Sequence, residues 1–177
     1  ASTGLIPFVT TFAVFMLRSI EQARLSIAYS KMNVKIVASH PGLDVGPDGG
    51  SAQCLEDLAA FRAIPGLVVL SPCDQLEIDL ATKAIIDYDG PVYMRTGRST
   101  AKNILNQTYR FEIGKGQVLK EGSDVTIIGC GVTTARAFKA AELLNAEGVS
   151  ARVVNMSTLK PIDEELIISC ATETKGI

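Results

Sequence analysis

Short runs of β-branched and other apolar residues alternate with helix-forming segments along most of this chain. The clearest run, residues 34–39, is nearly continuous in apolar character. Continuous runs of this kind form strands that are buried on both faces, as in parallel sheets. The other predicted strands cover residues 5–10, 67–71, 91–95, 124–129 and 150–155. The alternation therefore predicts an α/β fold with right-handed crossovers between parallel strands.

The segments between these strands carry the spacing or the boundary residues of helices. The predicted helices cover residues 12–29, 55–63, 74–87, 133–147 and 163–171. Asp74 is predicted to cap its helix, and Pro161 to open the last one. The periodicity weakens between residues 96 and 122, so we place a domain boundary near residues 110–115. We predict two doubly wound, mostly parallel-sheet domains, residues 1–112 and 113–177, and interpret both as truncated.

Composition excludes several classes of partner. The 177 residues are 47% hydrophobic and carry a net charge of −2, with lysines and arginines dispersed. This pattern gives no basic surface for nucleic acid or for an anionic membrane. The apolar segment 5–17 is too short to span a bilayer. The four widely spaced cysteines match no zinc pattern, so we interpret them as reduced thiols of a cytoplasmic protein.

The segment between His40 and Ser51 is the most informative loop. It contains the only histidine of the chain, Asp44, Asp48 and four glycines, and it follows the predicted strand 34–39. Ligands of α/β proteins bind beyond the carboxyl ends of strands. His40 is predicted to be a general base or a hydrogen-bond donor, and Asp48 an acceptor for a polyol hydroxyl. A purely structural histidine is the alternative.

Two further groups are candidates for ligand binding. Phe12, Phe15 and Arg18 are spaced three apart on a predicted helix and would suit a flat heteroaromatic ring, with core packing as the alternative. Arg95 and Arg98 follow a strand and could grip a phosphate, or they could form surface ion pairs. The Gly-Cys-Gly run at residues 129–131 lacks the third glycine of a dinucleotide site, so we interpret it as a tight strand-to-helix turn.

These motifs, in this order, resemble the pyrimidine-binding domain of transketolase. The matching stretches are FVTTFAVF at 8–15, ASH at 38–40, GPDGGS at 46–51, LEDLAAFR at 55–62 and IPG at 64–66. RTGR at 95–98 and GCGVT at 129–133 extend the resemblance into the C-terminal domain of that family. The resemblance covers nearly the whole chain.

The resemblance implies a transferase that moves a two-carbon ketol unit between sugar phosphates of the pentose phosphate pathway. It implies thiamin diphosphate and Mg²⁺ or Ca²⁺ as cofactors. Phe12 and Phe15, with Arg18 at the third position, would line the aminopyrimidine pocket. His40 and Asp48 would be the catalytic residues facing the sugar, and Arg98 with Arg95 would hold its phosphate.

Departures from the family pattern limit what can be carried over. Some members have a second active-site histidine where this chain has Ala52. The glutamate that activates thiamin and the diphosphate and metal site are expected upstream or in another domain. We therefore expect a fragment or split subunit that is inactive alone. It would pair with a diphosphate-binding domain or subunit as a homodimer or heteromer, and it would supply no metal ligand itself.

Two alternatives keep the fold and change the function. One is 1-deoxyxylulose 5-phosphate synthase or the beta-type subunit of a 2-oxo acid dehydrogenase. Of these two, Arg18 favours the synthase. The LEDL run at residues 55–58 instead favours transketolase. The other is a non-catalytic assembly or regulatory module. Ala52 and the missing glutamate favour this alternative.

Overall fold

A computed structural model describes residues 1–99 and 102–177 and contains two sheets. The five-stranded sheet has the order β1-β2-β4-β3-β8. Its strands are β1 (Phe8–Phe12), β2 (Lys35–Ser39), β3 (Val68–Leu70), β4 (Val92–Thr96) and β8 (Thr158–Lys160). The first four are parallel, and β8 is antiparallel to β3. The carboxyl ends of β1 to β4 consequently lie along one edge of the sheet.

The smaller sheet has the order β5-β7-β6. Its strands are β5 (Gln117–Lys120), β6 (Val125–Gly129) and β7 (Ala151–Asn155). β6 and β7 are parallel, whereas β5 is antiparallel to β7. The predicted α/β class with mostly parallel sheets is confirmed.

Helices connect the parallel strands, as expected for crossover connections. Residues 13–29 form an irregular helical segment made of α1 (Ala13–Met16), a 3₁₀ turn (Leu17–Ser19), α2 (Ile20–Gln22) and a π-helical stretch (Ala23–Tyr29). The remaining helices are α3 (Asp57–Arg62), α4 (Gln75–Asp87), α5 (Thr133–Ala146) and α6 (Glu164–Glu173). Asp74 caps α4 as predicted, because its Oδ1 accepts from the N–H of Glu77 at 3.0 Å.

Several predicted boundaries were wrong. β1 covers Phe8–Phe12 instead of residues 5–10, because pairing with β2 begins at Phe8 and Leu5 is exposed. Pro161 does not open the last helix, because α6 begins at Glu164 and is capped by Asp163, whose Oδ1 accepts from the N–H of Leu166. Strands β5 and β8 were missed, because both are short and acquire their pairing only from distant partners.

The two predicted domains are joined by strand pairing and by buried hydrogen bonds as well as by the continuous chain. β8, from the second half of the chain, extends the sheet of the first half. Glu77 on α4 is fully buried, and its Oε2 accepts from the N–H of Cys73 at 2.7 Å. Its Oε1 accepts from the hydroxyl of Tyr109 and from Nδ2 of Asn155, which ends β7. A satisfied buried carboxylate therefore joins the two halves.

Lys35 is buried at the start of β2 and gives the fold a pH dependence. Its Nζ donates to the carbonyls of Tyr88 and Gly90, both at 2.7 Å. Burial lowers the pKa of Lys35 from 10.5 to about 8, partly offset by Asp89. Between these two pH values Lys35 is mostly protonated in the unfolded chain and mostly neutral in the folded one. The contribution of Lys35 to the free energy of unfolding therefore increases as the pH rises.

We therefore predict that wild-type protein gains stability relative to Lys35→Met between pH 8 and 10.5. The full gain corresponds to about 3 kcal/mol. Urea unfolding of both proteins across this range measures it, and the comparison cancels the titration of other groups. A stability difference that does not change with pH would contradict the assignment.

Within the described ranges, no helix combines the length and apolarity needed to cross a membrane. All four cysteines are free thiols, three of them buried and Cys130 half-buried.

Candidate functional site

The predicted site residues lie at the shared carboxyl edge of the five-stranded sheet. Phe12 ends β1, His40 follows β2 directly, and Arg98 lies two residues beyond β4. The loop that carries Asp48 returns over this edge and is closed by a bridge between Gly42 and Cys54, whose backbone atoms are joined by a hydrogen bond of 2.6 Å. Parallel pairing thus brings together residues that are far apart in sequence.

Three rings form a continuous stack. The centroids of Phe12 and His40 are 3.6 Å apart with an interplanar angle of 15°, and those of Phe12 and Phe15 are 5.5 Å apart at 6°. The Arg18 guanidinium lies 5.9 Å from the Phe15 centroid. The prediction that Phe12 and Phe15 share a helix was wrong, since Phe12 ends a strand. The strand-to-helix bend nevertheless brings both rings to one place.

His40 is held in an unusual backbone conformation. Its φ is +57°, in the left-handed region that non-glycine residues seldom adopt and that costs about 1 kcal/mol or more. Its Nδ1 lies 2.9 Å from the Ser39 hydroxyl, and this contact fixes the ring orientation. Strain of this kind clusters at functional sites, which favours the functional interpretation of His40 over a structural one.

Asp48 joins His40 to Arg98. Its Oδ2 accepts from Nε of Arg98 at 2.7 Å and lies 3.7 Å from Nε2 of His40. The Arg98 and Asp48 side chains are 37% and 36% exposed, so both can reach a ligand. A path of contacts therefore runs from Phe15 through Phe12, His40 and Asp48 to Arg98.

Arg95 is separated from this path. Its Nε lies 3.1 Å from Oδ2 of Asp57, which is fully buried and also accepts from the Tyr93 hydroxyl at 2.7 Å. Burial and the adjacent Asp57 raise the pKa of Tyr93 above its ordinary value. Asp57 was not predicted as the shared partner of Arg95 and Tyr93. The signal was an acidic residue in the first turn of a short helix whose position proves to be buried.

Arg95 instead borders a cleft of about 370 Å³ between the two sheets. The cleft is lined by residues 41–44, by Ser71 just beyond β3, and by the turn before α5. The predicted strand-to-helix turn at 129–131 is confirmed. The N–H of Gly131 donates to the carbonyl of Ser71 at 2.9 Å, so this turn packs against the first sheet.

Gly131→Ala should be clearly more destabilising than Gly148→Ala. Both glycines have positive φ, +55° and +81°, but an added Cβ at Gly131 would lie 2.6 Å from Oγ of Ser71, whereas the one at Gly148 meets nothing within 4 Å. Overpacking should add about 1–3 kcal/mol to the shared backbone strain. Denaturant unfolding of the two variants measures this difference, and equal losses would show that the Ser71 hydroxyl or the turn moves aside at little cost.

Comparison with known proteins assigns the family. A sequence model described as the pyrimidine binding domain of transketolase matches residues 1–103, and one described as the transketolase C-terminal domain matches residues 114–177. The chain belongs to the transketolase family. Residues 104–113 lie between the two matches.

Related proteins in this family include separately encoded parts of transketolases. A putative transketolase C-terminal section of Methanocaldococcus jannaschii is 45% identical over 94% of this chain and 54% of its own length. A 6-deoxy-6-sulfo-D-fructose transketolase subunit of a Clostridium species is 40% identical over 100% of this chain and 55% of its own. The chain thus spans about half the length of these relatives.

The fold of this chain is similar to that of a solved protein structure. The structure described as a split gene transketolase, inactive beta4 tetramer, superposes with a TM-score of 0.90 at 46% identity. The match covers 98% of this chain and 56% of that one. The transketolase pyrimidine and C-terminal domain folds are therefore both present.

Two structural observations concern Ala52 and the metal ligands, where the sequence departs from the family pattern. Ala52 is buried, with 7% exposure. Among the residues that the structure describes, no group of three or more His, Cys, Asp or Glu side chains could hold a metal ion.

Proposed function

We propose that this chain supplies the pyrimidine-binding and sugar-phosphate-binding side of a transketolase active site. The assembled enzyme would transfer a two-carbon ketol unit between sugar phosphates with thiamin diphosphate. One observation carries the proposal: the contact path Phe15–Phe12–His40–Asp48–Arg98 joins an aromatic surface to an acid–base group and a phosphate-binding cation.

The aromatic end of this path fits the aminopyrimidine ring. Phe15 is 46% exposed and stacks nearly parallel on Phe12, so it offers an accessible flat apolar surface. Offset stacking of a planar ring on such a surface contributes about 0.5–1.5 kcal/mol beyond area burial. Arg18 would border the ring as a cation. Thiamin diphosphate, when bound, would supply the nucleophilic carbon and the electron sink for ketol transfer.

The polar end of the path fits a sugar phosphate. A ring nitrogen of His40 that carries no proton would accept the hydrogen bond of the substrate hydroxyl at the reacting carbon, and it would take up that proton as the oxygen becomes a carbonyl. Asp48 would accept from a substrate hydroxyl. Arg98 would hold the phosphate through charge-assisted hydrogen bonds. Arg95 remains a predicted second contributor, although Asp57 engages its Nε and it borders the neighbouring cleft.

We propose that a diphosphate-binding domain or subunit completes the site. It would bring the activating glutamate and the ligands for Mg²⁺ or Ca²⁺, and this chain alone would be inactive. The separately encoded relatives support such a division of the protein. Phe8 and Val9 are exposed apolar side chains on β1, the strand that ends at Phe12, and would suit a homodimeric or heteromeric interface. We place this assembly in the cytoplasm.

The reaction type can be tested with paired substrates. The chain is mixed with the diphosphate-binding subunit of a split transketolase, thiamin diphosphate and Mg²⁺. We expect transfer from xylulose 5-phosphate to ribose 5-phosphate. Carbon dioxide release from pyruvate with glyceraldehyde 3-phosphate would instead assign the deoxyxylulose phosphate synthase reaction. A mixture that forms a stable complex without either reaction would favour the non-catalytic module.

A further inference from the structure

Arg98 is held in a way that leaves its phosphate-binding edge available. The hydrogen bond to Asp48 uses Nε, on the side of the guanidinium. Across residues 1–99 and 102–177, no hydrogen bond engages its two terminal Nη groups. A guanidinium anchored at Nε can still present both Nη groups to phosphate oxygens.

We infer that Asp48 is a positioning residue for Arg98, in addition to its proposed contact with the sugar. The inference rests on the proposed phosphate role of Arg98. In this arrangement the Asp48 carboxylate orients the arginine before substrate arrives, so less side-chain entropy is lost on phosphate binding. The same oxygen lies 3.7 Å from Nε2 of His40, so Asp48 fixes the phosphate-binding group relative to the acid–base group.

A second contact ties the same segment to the loop. The hydroxyl of Ser99, the neighbour of Arg98, donates to Oδ2 of Asp44. Asp44 lies four residues before Asp48 on the loop, so the segment that carries Arg98 is attached to it at two points. Oδ1 of Asp44 also lies 3.5 Å from Nη2 of Arg136 on α5.

Stability alone does not explain the contact between Asp48 and Arg98. Both side chains are more than one-third exposed, and exposed ion pairs contribute little to folding. The contact instead fixes the orientation of the Arg98 side chain, which is long and otherwise flexible. An orienting role and a competing role make opposite predictions, since a carboxylate that competed with phosphate for Arg98 would weaken phosphate binding.

The test compares Asp48→Ala, Asp48→Asn and Arg98→Ala in the full chain, with inorganic phosphate as the probe. Phosphate has no hydroxyl of a polyol, so the proposed sugar contact of Asp48 does not enter. Two-dimensional ¹H–¹⁵N NMR follows the Arg98 Nε–H signal, assigned by its loss in Arg98→Ala, and the His40 ring signals, which are unique because the chain has one histidine.

We expect Asp48→Ala to weaken phosphate binding about threefold and to broaden or shift the Arg98 Nε–H signal. Asp48→Asn keeps an oxygen acceptor and should stay within about twofold of wild type. Tighter binding in Asp48→Ala would show competition and overturn the inference. Unchanged binding in both Asp48 variants, with binding lost in Arg98→Ala, would also overturn it while leaving the proposed function intact. Unchanged binding in Arg98→Ala would instead contradict the phosphate role itself.

Discussion

Arg98→Ala should raise the KM of the assembled enzyme for ribose 5-phosphate by about 10- to 100-fold. The reason is the loss of a charge-assisted hydrogen bond to phosphate, which contributes about 1.5–3 kcal/mol. Arg98 is well placed for this role, being 37% exposed and held beside His40 through Asp48. An unphosphorylated acceptor such as glycolaldehyde should change by less than about twofold, because it has no phosphate to lose.

Arg110→Ala provides the matched control. Arg110 is also an exposed arginine, but its Nη1 donates to the nearby backbone carbonyls of residues 107–109. Its substitution should leave both acceptors unchanged. If Arg98→Ala weakened phosphorylated and unphosphorylated acceptors equally, the loss would be one of fold or loop position, and the phosphate role would be wrong.

Asp57→Ala should destabilise the chain by about 3–5 kcal/mol. Asp57 is fully buried, and its Oδ2 is shared by Arg95 at 3.1 Å and Tyr93 at 2.7 Å. Removing one partner of a buried ion pair leaves the other charge uncompensated, and this accounts for the size of the loss. Tyr93→Phe keeps the ion pair and removes one hydrogen bond, so it should cost about 1–2 kcal/mol.

Glu142→Ala is the control for Asp57→Ala. Glu142 pairs with Lys139 at 3.2 Å on the exposed face of α5, where an ion pair contributes less than about 0.5 kcal/mol. Urea unfolding of all three variants gives the comparison. Similar small losses for Asp57→Ala and Glu142→Ala would mean that water reaches Asp57 and that the site is not rigidly supported from below.

The grouping of the site was predictable from sequence, because it follows from parallel strands. Phe12, His40 and Arg98 each stand at or just beyond a strand end, and parallel order places such ends on one edge. Phe12 was correctly predicted to lie close to Phe15, but it ends strand β1 and does not belong to the helix. Spacing of three predicts one helix face, but the chain bends from strand to helix between the two phenylalanines.

The supporting contacts were not predictable, because they depend on tertiary pairing. Nothing local marks Glu77 as the carboxylate that Tyr109 and Asn155 share across the two halves. The three-residue strand β8 has no strand signal of its own and exists because β3 offers an unpaired edge. Asp57 looks like an ordinary first-turn acid on α3, and only its burial distinguishes it.

The central claim is that this chain provides one side of an active site whose other side belongs to a diphosphate-binding partner. Ketol transfer from xylulose 5-phosphate to ribose 5-phosphate tests it most directly, measured with the chain alone, the partner subunit alone and the mixture. Thiamin diphosphate and Mg²⁺ are present in all three reactions. We expect activity only in the mixture, and a large loss of that activity when the His40→Asn variant replaces the wild-type chain. Ketol transfer by the chain alone, or full activity of the mixture with His40→Asn, would contradict it.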